Sequence, residues 1–302
     1  HPGYLSTEWA LGQEGIKKLG VQHHHAHIAS VMAEHGLTGK VIGVAFDGTG
    51  YGTDGTIWGG EFLLCDALGF RRAGRLKPVP LPGGERAVRE PWRTAISYVR
   101  EAAGEDAGKL LARAGFVERY GEDRVGTILG LSAMEEFSPL SSGAGRLFDA
   151  AAALLGIADE NTFEGEAAMA LEAAAAEGES GDYPLDISFG DTMTVDFSFA
   201  IMGIIGDMES GVARETIAAR FHNTVATAVL RVVQKLSQLS GIGAVALSGG
   251  VFQNDYLLSR LEAALGALGF EVYSNEAVPL NDGGISLGQA HVLRERLRAG
   301  EL

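Results

Sequence analysis

Four of the chain's eight histidines fall in one short run, Val21-Gln22-His23-His24-His25-Ala26-His27. On a helix, residues i and i+4 stand one turn apart on the same face, so His23 and His27 can present two imidazoles to a single divalent ion. A solvated helix face or an affinity tag also gathers histidines, but a tag sits at a terminus. This run instead leads into Ile28, Val31 and Met32, which continue an apolar helical stripe. Two imidazoles leave a coordination shell open, and a carboxylate or third imidazole has to complete it from elsewhere in the chain.

Two glycine-rich turns could serve a phosphate. Asp47-Gly48-Thr49-Gly50, expected at the tip of a strand pair, offers close backbone approach, a hydroxyl donor and a carboxylate for a cation. An Asp-Gly step is equally the commonest hairpin turn. Ser248-Gly249-Gly250, followed by Val251-Phe252-Gln253-Asn254, sits where a buried strand meets a helix N-terminus and its positive dipole. Arg86, Arg89 and Arg93 follow a Pro-Gly-Gly loop, where guanidinium forks could hold a phosphate or carbamoyl oxygen or could join surface salt bridges. His222, in mid-helix, reads as structural, and His1, His35 and His291 receive no role.

The elements that must position these groups follow from periodicity. Residues 5 to 38 read as helices ending at Gly36, and 41 to 46 and 56 to 64 as a strand pair around the 47 to 55 turn. Residues 71 to 90 read as a Pro/Gly-rich loop and 92 to 178 as mainly helical, with strands near 194 to 197. Apolar residues from Ile217 to Leu239 at three- and four-residue steps define one long helix. A strand at 244 to 247, a helix at 254 to 268, a strand at 270 to 273 and a last helix at 284 to 298 complete an α/β pattern.

Composition narrows the class. With 302 residues and 46% hydrophobic content, the chain can bury a large core. No apolar run reaches the roughly 18 residues a membrane span needs, and no signal peptide is evident, so membrane insertion is not expected. One cysteine, Cys65, excludes an internal disulfide and fits a cytoplasmic location. A net charge of -15, from 39 acidic against 24 basic residues, argues against nucleic acid as a partner.

Taken together, the glycine turns resemble the nucleotide-binding lobe of the actin, Hsp70 and sugar-kinase superfamily. The runs Val21 to His27, Phe46-Asp47-Gly48-Thr49-Gly50-Tyr51-Gly52, Pro80 to Glu85, Arg89-Glu90-Pro91-Trp92-Arg93 and Ser248 to Asn254 make the likeness closer. They resemble the C-terminal transferase domain of the HypF carbamoyltransferases of [NiFe]-hydrogenase maturation, which is similar to the tRNA-modifying TsaD enzymes. The likeness runs from His1 to about Ala290.

That resemblance implies an α/β fold of two lobes, with the first lobe truncated at its N-terminus. Residues 1–40 would be a helical remnant of that lobe carrying the metal helix, and 41–302 a nucleotide-binding lobe whose last helix returns to the metal. It implies iron or zinc on His23, His27 and the late Asp282, with Asp47 as a fourth ligand. ATP or carbamoyl adenylate, with or without magnesium, would be held by Gly48, Thr49, Gly50, Gly52, Gly145, Asp149, Gly249, Gly250 and Asn254. In Ser142-Gly143-Ala144-Gly145-Arg146-Leu147-Phe148-Asp149, Ser142 replaces an aspartate of TsaD-like chains. Arg86, Arg89 and Arg93 would face substrate, and His24 or His25 would relay a proton. The acceptor would be the C-terminal cysteine of HypE. An O-carbamoyltransferase for a small hydroxylated substrate and a non-catalytic module binding nucleotide or HypE are the alternatives.

Overall fold

The structure, a computed structural model, describes residues 3–301; His1 lies outside them. Nine strands form one sheet: β1 (Val41–Tyr51), β2 (Ile57–Cys65), β3 (Phe70–Leu76), β4 (Val79–Pro80), β5 (Leu140–Ser141), β6 (Asp186–Ser188), β7 (Met193–Asp196), β8 (Ala244–Ser248) and β9 (Glu271–Ser274). The main order is β6-β7-β3-β2-β1-β8-β9, with β5 pairing β2 and β4. Strands β1, β8 and β9 run parallel, whereas β1 to β2 and β2 to β3 are antiparallel.

Alternation along the central strands divides the core between two faces of the sheet. Ile42, Val44, Phe46, Phe62, Val245 and Leu247 point into the larger cluster, with residues of the Pro91–Ala103, Ala144–Leu154, Ser198–Glu209 and Arg214–Ser240 helices. Val41, Ala45, Leu63, Cys65 and Ala246 face the other way, onto Ile28, Val31 and Met32 of the His23–His35 helix. The apolar stripe beside the histidines is therefore what fastens their helix to the sheet. Cys65 is buried, which pushes its thiol pKa up and leaves it unreactive. Among the described residues no helix is long and apolar enough to cross a membrane.

Three expectations need correction. The segment from 71 to 90 is not a loop: it holds β3, β4 and a short helix, Glu85–Arg89. Three arginines in β3 hide its period, yet β3 is bonded by β2 on one side and β7 on the other. Residues 5 to 38 hold two helices, Leu5–Gly12 and His23–His35, and the backbone between them is not helical; Gly15 there takes a positive φ of 72°. Asp47 to Gly50 is not the hairpin tip. Strand β1 runs on to Tyr51, with its register shifting between Phe46 and Gly50, and the reversal falls between β1 and β2.

The last helix, Ile285–Ala299, lies across the His23–His35 helix at very short range. A Cβ placed on Gly288 would lie 1.9 Å from the carbonyl oxygen of Ala26 and 2.9 Å from the amide of Ser30. Gly288→Val should therefore force the two helices apart and cost about 1–3 kcal/mol in chemical denaturation. Gly266, a helical glycine with open space around it, is the control. Its change to alanine should be neutral or stabilising by up to about 1 kcal/mol.

Candidate metal centre

The His23–His35 helix begins where Gln22 accepts a hydrogen bond from the amide of His25 at 3.0 Å, and ends at left-handed Gly36. The first turn so fixed sets His23 and His27 side by side, ring centroids 4.8 Å apart. Opposite them stands Asp47, in the irregular stretch of β1. The third contribution comes from Asp282, in a short turn leading directly into the last helix. Asn281 caps that turn by accepting from the amide of Gly283 at 3.0 Å.

These four side chains converge, with one donor atom from each lying within 4.8 Å of all the others. Nε2 of His23 lies 3.0 Å from Oδ2 of Asp47 and 3.3 Å from Oδ1 of Asp282. Nε2 of His27 lies 3.5 and 3.3 Å from the same two oxygens, buried and without hydrogen-bond geometry to either. Ligand bonds of about 2.1 Å place the donors of a tetrahedral shell about 3.4 Å apart. The observed spacings and the stranded imidazole nitrogen fit an ion among these groups better than a hydrogen-bond network. Two nitrogen and two oxygen donors suit zinc or iron(II).

The electrostatics point the same way. Burial disfavours a charge on His23, but bonds to Asp282 and Asp47 outweigh it and raise the imidazole to about 9. His27 is raised too, its burial more than offset by Asp282 and Asp47. Burial works against the carboxylate of Asp47 as well, yet His23 and His27 hold it well below the ordinary range. The two carboxylates thus favour protonated, cationic imidazoles beside them.

Behind the cluster, other contacts fix its parts. Glu34, on the same helix, accepts from Asn275 Nδ2 at 3.0 Å and from the amides of Glu276 and Ala277 at 3.0 and 2.7 Å. His35 is 2.7 Å from the carbonyl of Ser274, and Ser30 and Ser248 both donate to Oδ1 of Asn275. Helix, β8 and the segment leading to Asp282 are thereby tied together at one point. Gly249, at φ 108°, lies so close to β1 that a Cβ would stand 2.2 Å from the Phe46 carbonyl oxygen. That holds the Gly249-Gly250 turn beside Asp47.

A cleft of about 360 Å³ opens from the cluster. Asp47 and Gly48, then Gly145, Arg146 and Asp149 of the Ala144–Leu154 helix, Glu164 with Gly165, Gly250 with Gln253, and Asn281 to Gly283 form its walls. Its size is that of a small-ligand site. Of the nine expected nucleotide contacts, Gly48, Gly145, Asp149 and Gly250 line it. Thr49 is exposed beyond the lining, Gly50 lies under the His24 and His23 rings, and Gly52 lies under Trp58. Asn254 spends its side chain on capping the Asp255–Ala267 helix at Leu257 and on donating to His222 at 2.9 Å. His222 in turn donates from Nδ1 to the Ala218 carbonyl at 2.7 Å, and burial lowers it to about 4.

The expected substrate arginines stand elsewhere. Arg86 and Arg93 both pair with Glu90, Arg89 is exposed, and none of the three lines the cleft. His25 is 2.7 Å from the Asp66 carbonyl and packs on Phe70. His24 is buried on Trp58, takes a hydrogen bond from Gln22 at Nδ1 and has no partner at Nε2; burial, with His23 nearby, holds it neutral. Ser142 donates to the fully buried Glu61, itself paired with Arg72 at 2.6 Å, which anchors the chain entering the Ala144–Leu154 helix. Sequence reasoning missed Arg146, a buried arginine on the cleft wall. An arginine three residues before an aspartate in an otherwise apolar helix, Ala144 to Leu154, was the available signal.

An α/β domain with four side chains that could hold a metal ion at the end of a cleft of small-ligand size is the class that fold and site define. Two family models match the chain: the HypF Kae1-like domain over residues 1–34, and the carbamoyltransferase, Kae1-like domain, second subdomain, over 43–289. A carbamoyltransferase HypF homolog of Cupriavidus necator is 38% identical over 97% of this chain and 75% of its own length. The carbamoyltransferase HypF of Synechocystis is also 38% identical, over 96% of this chain but 38% of its own. Full-length HypF, solved in a phosphate- and nucleotide-bound form, superposes with a TM-score of 0.91 at 45% identity, over 98% of this chain and 46% of that one. HypF of T. kodakarensis gives 0.86 at 29%, over 98% and 40%. The chain belongs to the HypF carbamoyltransferase family, and it spans less than half the length of most of these relatives.

Because His23 keeps its proton up to about 9 in the metal-free site, an ion has to displace it at lower pH. Apparent zinc affinity should therefore climb as pH rises from 6 and flatten above about 9. Calorimetry in buffers of differing ionisation heat should register proton release below that point. A pH-independent affinity with no proton release would contradict the assignment.

Proposed function

We propose that this chain performs the transfer step of hydrogenase maturation, moving a carbamoyl group from carbamoyl adenylate to the C-terminal cysteine thiol of HypE in the cytoplasm. The convergence of His23, His27, Asp47 and Asp282 at the end of the cleft carries the reading. Membership of a carbamoyltransferase family supports it. So does the phosphate- and nucleotide-bound form of a relative. In the two-lobed arrangement of the actin, Hsp70 and sugar-kinase superfamily, residues 1–40 bring the metal helix to the nucleotide-binding lobe of 41–302. The helix after Asp282 then returns to the metal.

His23, His27, Asp47 and Asp282 would hold a divalent iron or zinc ion, which when bound would supply positive charge for an oxygen of the carbamoyl adenylate. The chain's own residues do the rest. Gly48, Gly145 and Gly250 allow the nucleotide to approach the backbone, and Asp149 faces the ribose. The thiolate of the acceptor attacks the carbamoyl carbon, a C–S bond forms, and the C–O bond to phosphate breaks, with AMP leaving on the electron pair. His24, the expected relay, is buried on Trp58 outside the cleft and held neutral, so the thiol proton passes to water. His25 is committed to Asp66, and Arg86, Arg89 and Arg93 take no part. Positioning and charge stabilisation carry the rate.

Replacing His23 and His27 together by alanine should strip the metal and slow transfer from preformed carbamoyl adenylate by at least about 100-fold. The assay uses a HypE-tail peptide ending in cysteine, followed by mass spectrometry. Undiminished transfer by the metal-free double variant would sink the proposal. A preference for sugars over the peptide would turn the reading to O-carbamoylation.

A further inference from the structure

Arg146 is the one cationic side chain among the described residues that line the cleft, where Asp47, Asp149, Glu164 and Asp282 are its acidic neighbours. It is 5% exposed, and its Nε has no hydrogen-bond partner. Nη2 lies 2.9 Å from Oδ2 of Asp149, one turn on, a buried ion pair without hydrogen-bond geometry that offsets part of its charge. The same nitrogen stands over Gly48, where a Cβ would come within 3.3 Å of it. Gly48 follows Asp47 directly, so the guanidinium borders the metal cluster.

A second feature faces the same space. Arg146 sits in the first turn of the Ala144–Leu154 helix, whose N-cap, Gly143, has no side chain to cap it. Such an end carries partial positive charge and open amides, the usual setting for an oxyanion. A guanidinium buried with an unused donor beside it adds the fork that phosphate oxygens accept.

We infer that Arg146, with the N-terminus of its helix, recognises the phosphate of the bound nucleotide and so selects a nucleotide over a nucleoside. This rests on the nucleotide reading given above. Asp149 positions the guanidinium, and Gly48 leaves the room through which a phosphate oxygen reaches it.

Calorimetric titration of the metal-loaded chain with AMP and with adenosine tests the inference. The unmodified protein should bind AMP more tightly than adenosine. Arg146→Gln should weaken AMP by roughly 10- to 100-fold and leave adenosine unchanged, collapsing the ratio. Arg146→Lys, which keeps the charge but loses the fork, should fall between them and serves where the glutamine variant fails to fold. Metal content should be equal in all three. An unchanged ratio in either variant, or equal loss of both ligands, overturns the inference. Adenosine binding without an AMP preference in the unmodified protein also overturns it while sparing the nucleotide reading. Binding of neither ligand removes that reading as well.

Discussion

Asp47 is a carboxylate taken almost wholly out of water at a break in the central strand, and the surrounding architecture has to compensate for it. An unpaired buried carboxylate is costly enough that proteins either neutralise it or supply positive partners. Here the partners are His23 and His27, delivered by a helix on one face of the sheet and held there by Ile28, Val31 and Met32. Asp282 then adds a second negative group from a segment more than two hundred residues later. Two carboxylates and two imidazoles in so small a space are consistent only when a cation, either bound protons or a metal ion, sits among them. The distances between elements are consequently set by contacts that are not themselves part of the cluster. Glu34 with residues 275 to 277, Gly288 against Ala26, and Gly249 against Phe46 each fix one of the three segments.

Much of this was legible in the sequence, for local reasons. The i, i+4 spacing of His23 and His27 needs only a helix, and the stripe that follows supplies one. Apolar runs in β1 and β8 predicted strands, and three- and four-residue steps predicted the long Arg214–Ser240 helix almost to its ends. Illegible features depend on partners distant in sequence. No periodicity connects Asp282 to His23, and only resemblance placed it at the site. Asp47 was read as a hairpin tip because Asp-Gly favours turns. Pairing to β2 resumes at Gly50 after a register shift from Phe46, which carries the strand on to Tyr51 and pushes the reversal a few residues on. Strand β3 was missed because its arginines break the alternation, one of them turning inward to neutralise buried Glu61.

The arginines also show why residue type and nearness in sequence do not by themselves place a side chain on the cleft wall. Arg86, Arg89 and Arg93 cluster in sequence after a glycine turn, but Glu90 lies between two of them and satisfies both. Arg146 has no such signature. Its burial in an alanine-rich helix is tolerable because Asp149 lies one turn away, and that same arrangement leaves the buried Nε without a hydrogen-bond partner.

The charge of the cleft links the two halves of the proposed chemistry. Four carboxylates border a space assigned to a phosphate-bearing ligand, and like charges in a partly desolvated cleft repel strongly. Arg146 alone leaves that balance negative. Where the imidazoles have lost their protons, above about pH 9 for His23, a divalent ion on His23, His27, Asp47 and Asp282 would offset the charge of two carboxylates, so in this reading ion and nucleotide favour one another's binding there. Because coupling between two sites is reciprocal, a nucleotide phosphate in turn strengthens retention of the ion. In this reading the acidity of the cleft would make the binding of a small phosphate ester sensitive to whether the ion is in place.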